Sequence, residues 1–156
     1  MMRLINCSLL FLILLHSGFR SRVREKTPFG LLLGPPQPVQ ESSYYEEITH
    51  YRGQKAAWER AKADYLIERI RTSPLTFIRN GDSYPGREAA AHIAWKYRIR
   101  GKKVEDARDF IKYFATRSSE TGKPYLVQTP DGKVYQASDI LYNELRILNE
   151  QLMVEK

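Results

Sequence analysis

A single cysteine, Cys7, is all that this chain of 156 residues carries, and it lies in an apolar run near the N-terminus. An intrachain disulfide is therefore impossible, and a cysteine-built zinc site is excluded. Whatever folds must do so by burying apolar side chains. Hydrophobic residues make up 42% of the chain, enough for the core of one domain. The fold then depends on where the apolar positions fall and with what period.

Most of them fall with the period of a helix. Trp58, Ala61, Tyr65, Leu66 and Ile70 form one stripe over residues 54–71, with Glu59, Arg60, Lys62, Glu68 and Arg69 on a solvated face. Ser73-Pro74 ends that helix, because the residue before proline avoids the α region. A second helix is expected from Pro85 to about Arg98, burying Ala89, Ile93 and Tyr97 and broken by Gly101. A third is expected from Val104 to Arg117, with Ala107, Phe110, Ile111, Phe114 and Ala115 inward and Glu105 and Asp106 at the positive end of its dipole. A fourth is expected over Ile140, Leu141, Leu145 and Leu148, capped by Ser138.

Between the helices lie short extended pieces. Phe77-Ile78-Arg79 leads into Asn80-Gly81, a pair that supplies positive φ cheaply and so marks a tight turn. Tyr125 to Gln128 and Val134-Tyr135 flank the turn Pro130-Asp131-Gly132. A lone hairpin is barely stable, so it must pack on the helices and can pair with Phe77–Arg79. The expected class is α+β, mainly α: about four helices packed with a small β-hairpin or a three-stranded sheet.

The N-terminus reads differently. After Arg3, residues Leu4 to Leu15 are apolar apart from Asn6, Cys7 and Ser8. A short basic start before such a run is the layout of a signal peptide. No small-residue cleavage site follows, and Arg20, Arg22, Arg24 and Lys26 flank the run, so an uncleaved anchor competes with cleavage. Residues 1–19 are therefore read as signal peptide or membrane anchor. Residues 20–45, with FGLLLGPPQPVQ inside, are read as a poorly ordered linker, and 46–156 as one domain. The net charge is +7, and more than half of it falls before residue 27. The domain itself is only mildly basic.

Four constellations carry chemistry. Glu88, His92 and Lys96 stand at i, i+4 and i+8, on one side of the second helix. A carboxylate there can tune the imidazole for acid–base work, or can simply orient a structural histidine. Ser118 and Ser119 are candidate nucleophiles by composition alone, without a G-x-S-x-G elbow. Thr121-Gly122-Lys123-Pro124 has no upstream glycine at phosphate-loop spacing, and nucleotide binding is rejected. Lys96, Arg98, Arg100, Lys102 and Lys103, interleaved with Trp95 and Tyr97, read as a basic interhelical turn in preference to a nucleic-acid surface. One histidine and one glutamate do not make a metal site.

Phe77-Ile78-Arg79-Asn80-Gly81, then Glu88-Ala89 with His92 and Lys96, then Phe110-Ile111 with Ala115, then Ser118 through Tyr125 follow in an order that resembles the YfeK-like family of short exported bacterial proteins, a domain of unknown function. The resemblance implies a bacterial source, export and a periplasmic or secreted location, with inner-membrane anchoring through residues 4–19 as the alternative. It implies no activity, no catalytic residue and no cofactor. The expected function is a non-enzymatic module that binds an envelope protein or an anionic envelope component. A small hydrolase using His92 and Glu88 near Ser118 or Ser119, and a membrane-tethered assembly factor, are the alternatives. Arg79, Asn80, Glu88, His92, Lys96, Ser118, Ser119, Lys123 and Tyr125 form the expected binding set. In it Arg79, Lys96 and Lys123 hold an anionic group and Tyr125 stacks.

Overall fold

The computed structural model describes residues 25–101 and 104–154, so the apolar leader, residues 20–24 of the expected linker and the pair Lys102–Lys103 lie outside the described residues. The element order is α1 (Tyr45–His50), α2 (Lys55–Thr72), β1 (Thr76–Arg79), β2 (Asp82–Pro85), α3 (Gly86–Arg100), α4 (Ala107–Phe110, continued by a π-helical turn over Ile111–Ala115), β3 (Leu126–Gln128), β4 (Val134–Gln136) and α5 (Ala137–Val154). The class is mainly α within α+β, as expected.

The sheet is antiparallel, ordered β2-β1-β3-β4. Phe77 lies opposite Tyr84 on one side and Val127 on the other, and Val127 in turn lies opposite Tyr135. The pairing of Phe77–Arg79 with the hairpin occurs as expected. A further strand, β2, joins at the edge after Asn80 (φ 57°) and Gly81 (φ 105°) turn the chain back. Asp82, Ser83 and Tyr84 show no apolar alternation, which is why the strand escapes a periodicity reading. An edge position also tolerates Pro85.

Helix α2 runs through the middle. Ala61, Ala63, Leu66 and Ile70 are fully buried, and Tyr65 and Ile67 nearly so. Two side chains assigned to its solvated face, Lys62 and Arg69, are buried as well. The reason is that α1, α3, α4 and α5 all pack on this helix. Each buried charge has a partner: Lys62 Nζ lies 2.6 Å from Glu59, and the Arg69 guanidinium grips Glu144 of α5 at 3.0 and 3.1 Å.

That second pair anchors a segment read from sequence as a linker. From Leu31 onward the chain packs, and Leu33 and Val39 are fully buried. An irregular backbone can be buried only if its polar groups find partners. The Leu33 amide donates to Glu144 (2.8 Å) and the Val39 amide to Gln151 (2.7 Å). Arg69 donates to the Pro35 carbonyl and to Gln37, both at 3.1 Å. The three prolines do prevent a long helix there, as expected; they stiffen a strap across α2 and α5.

Two local expectations change. Ser138 is not the cap of α5, which already begins at Ala137; its side chain is buried inside the first turn. The third expected helix begins at Ala107, capped by Asp106, whose carboxylate accepts from the Asp109 amide, and widens into a π turn after Phe110. All five of its expected core residues are nonetheless buried. Phe110 and Phe114 stack at 6.3 Å, and Tyr97 meets both rings edge-on. The Thr116 hydroxyl, at the end of the wide turn, donates to the Ile111 carbonyl.

Candidate functional site

Strand alternation places Phe77 and Arg79 on one face of β1, with Tyr84 beside them on β2 and Tyr125 just ahead of β3. Helix α3 crosses this face and presents Glu88, Ala89, His92 and Ile93. Between sheet and helix lies a cleft of about 240 Å³. Ile70, Phe77, Ile93, Ala137 and Leu141 form its apolar interior, and Arg79, Tyr84, Glu88, His92 and Tyr125 are the polar groups around it.

The cleft depends on how α3 starts. Gly86 sits so close to the end of α2 that a Cβ there would fall 2.3 Å from the Ile70 carbonyl oxygen and 2.9 Å from that of Ser73. Only glycine lets the helix begin at that distance. Its first two turns then carry Glu88 and His92 to the cleft, and its third carries Lys96 behind Tyr125.

Lys96 is an unusual resident. The side chain is buried, with 5% exposure, and among the described residues its ammonium bonds the Tyr125 hydroxyl (3.3 Å) and the Phe114 carbonyl of the π turn (3.5 Å). It also stands 5.3 Å from the centre of the Tyr125 ring, within cation–π range. No carboxylate pairs with it among the described residues. Burial holds its pKa below the ordinary lysine value, and Arg100 and Arg79 push in the same direction.

The neighbouring groups respond in kind. Burial depresses the His92 pKa, aided by the positive charges of Arg79 and Lys96. Burial raises that of Tyr125, against the pull of Arg79. Arg79 itself bonds Glu120 through Nη2 at 3.2 Å, but that carboxylate is largely exposed and the pair is worth little. The Arg79 Nε atom is buried and has no hydrogen-bond partner.

The expected site residues therefore separate into groups. Arg79, Glu88, His92 and Tyr125 line the cleft, and Lys96 stands directly behind. Asn80 sits outside it, bonded to Glu120 and Thr121. Ser118 is buried, and its hydroxyl accepts from the amides of Glu120 and Thr121 inside a turn of its own. Ser119 and Lys123 are exposed and do not line the cleft. Glu88 and His92 share a helix face without a hydrogen bond between them among the described residues. In the basic run, Arg98 and Arg100 are exposed while Lys96 is not. The apolar interior was missed, and Tyr84 stood outside the expected binding set. The alternation of Phe77 with Arg79 was the available signal, since it puts an arginine on the face that packs against helices.

Comparison with known proteins agrees with an unassigned role. A family model described as "Family of unknown function (DUF5329)" matches residues 57–149. The uncharacterized protein YfeK of Salmonella typhimurium is 36% identical over 70 residues, which are 44% of this chain. The match spans 58% of that relative's length. No solved structure matches the chain.

Proposed function

The chain belongs to DUF5329, a family of unknown function, and from that premise and the geometry of its cleft we propose that it is a non-enzymatic, exported binding module of the bacterial envelope. The cleft between α3 and the sheet is its binding site. One observation carries this reading: a preformed, mostly apolar cleft with a few polar groups converging at its edge, the usual character of a small-molecule site. The export half of the proposal rests on the basic start and apolar run of residues 3–15.

The hydrolase alternative draws less support. It needs a serine within hydrogen-bond reach of His92. Ser118 instead spends its hydroxyl on backbone amides, and Ser119 lies outside the cleft lining.

Two experiments test the proposal. In crystals of the purified protein soaked with small fragments, the proposal expects hits to gather against Phe77, Ile93 and Tyr125. Hits scattered elsewhere, with that cleft empty, would refute the assignment of the site. Fractionation of cells expressing the tagged chain should place it in the periplasm or the inner membrane. A stable cytoplasmic pool of the full-length chain would refute export.

A further inference from the structure

Taking the cleft as the binding site, as proposed above, we infer that its ligand is a short anionic amphiphile: an apolar body of about ten non-hydrogen atoms bearing one carboxylate or phosphate.

Size follows from volume. A cavity of about 150 Å³ holds benzene, so 240 Å³ accommodates about ten heavy atoms on the same scale. The body is apolar because Ile70, Phe77, Ile93 and Leu141 form the interior.

Charge follows from what the polar end lacks. Three nitrogen-bearing side chains converge there from two elements: Arg79 from β1, and His92 and, behind Tyr125, Lys96 from α3. Their acceptors are few. Glu120 takes one arm of Arg79 from the solvent side and the Tyr125 hydroxyl also meets the guanidinium, while the buried Nε stays unmatched. Lys96 has a hydroxyl and a carbonyl, and no carboxylate. Leaving a buried cation without a counter-charge is expensive, and an anion arriving at this end supplies one.

Tyr125 conveys the effect. Its hydroxyl oxygen accepts from Lys96, so the hydroxyl hydrogen is free to donate elsewhere. An anionic head beside Tyr125 and Arg79 therefore receives a hydrogen bond from the phenol that the ammonium polarises from behind, and a second from the guanidinium. Glu88 also lines the cleft and opposes an anion, but its side chain is exposed to water, where its field is screened.

The test uses the purified mature protein with four probes of one body: octanoate, octyl phosphate, octanol and octylammonium. Methyl NMR follows Ile93 and Leu141, and the His92 ring resonances are titrated with pH. The groups facing His92 are Arg79 from β1, Tyr84 from β2, Tyr125 before β3, and Glu88 and Lys96 on its own helix. Octanoate and octyl phosphate should shift the methyls and raise the His92 pKa, because a bound anion offsets Arg79 and Lys96. The tighter of the two identifies the head group as carboxylate or phosphate. Octanol should bind about tenfold more weakly or worse, leave the His92 pKa in place, and octylammonium should not saturate. Arg79→Leu should erase the preference for anions while octanol binding persists. If octanol matches the two anions while all three shift the methyls, the cleft remains a binding site and the anionic inference fails. If no probe shifts the methyls, the binding-site reading fails first and the inference falls with it.

Discussion

At Lys96 the chain buries an ammonium beside a phenol and a carbonyl, where methionine would fill the same space without desolvating a charge. A side chain that lowers stability and persists beside a cleft is what a stability–function trade-off leaves behind. Lys96→Met is expected to stabilise the ligand-free protein by about 1 kcal/mol or more, read as a higher melting temperature, and to raise the His92 pKa by removing one of the charges that depress it. The native lysine's folded pKa lies below its unfolded value, so the unfolded chain binds more protons in the alkaline window. Stability of the native protein should accordingly climb as pH rises through that window, and the variant should lose the climb. Asp64 behaves in the opposite sense. Burial and then Glu47 of α1 push its carboxyl up to about 6, against Arg60. A carboxyl raised in the fold weakens it above that value and ceases to do so as pH falls toward 4. Asp64→Asn should stabilise by about 1 to 2 kcal/mol at pH 7.5 after allowance for partial solvent exposure, and the gain should shrink to near zero by about pH 4 in chemical denaturation. None of this could be read in the sequence. A lysine at i+8 from a glutamate looks the same whether it faces water or the back of a tyrosine. An aspartate on a helix gives no hint of a second helix laid against it.

Among the elements, α3 and the strap decide whether the cleft exists. The close approach of Gly86 to the end of α2 leaves no room for a methyl group against backbone oxygens, which cannot swing aside. Gly86→Ala is expected to cost about 1 to 3 kcal/mol and to displace α3, so denaturant midpoints should fall and fragment binding at the cleft should weaken. The strap hangs on the buried Arg69–Glu144 pair and on the Leu33 amide that shares it. Glu144→Ala strands a buried guanidinium and should cost about 3 to 5 kcal/mol, with faster amide hydrogen exchange at residues 31–39 as the local sign. Arg69→Met with Glu144→Leu should recover much of the loss, because the penalty lies in the orphaned charge. Helices α2 to α5 were legible because each carries a stripe of period 3.6, and the β3–β4 hairpin because Pro130-Asp131-Gly132 punctuates it; the short α1 was not. The strap was not. Its prolines and glycines look the same in a floating linker as in a segment pinned by side chains from α2 and α5 more than 30 residues away in sequence. β2 stayed hidden because an edge strand buries little and so need not alternate.

For the molecule as a whole, helices pack on a four-stranded antiparallel sheet, and Phe77, Ile93 and Leu141 line a cleft between them. Four of the nine expected binding residues were brought to the cleft or directly behind it by features written in the sequence: the helix spacing of Glu88, His92 and Lys96, and the strand position of Arg79 relative to Phe77. The loop residues Ser118, Ser119 and Lys123 were grouped with them by polarity, yet the fold uses Ser118 to close a turn and leaves the other two in solvent. Polarity says which residues meet water or each other; it does not say which side of a sheet a loop returns on. The account stands on the cleft being occupied in the working protein. Intermolecular nuclear Overhauser effects between the alkyl chain of octanoate and the purified protein test this most directly. The account predicts cross-peaks from the chain to Phe77, Ile93 and Leu141, with the carboxylate end nearest the ring of Tyr125. Cross-peaks to exposed side chains such as Trp95 or Met153, with those three silent, would contradict it.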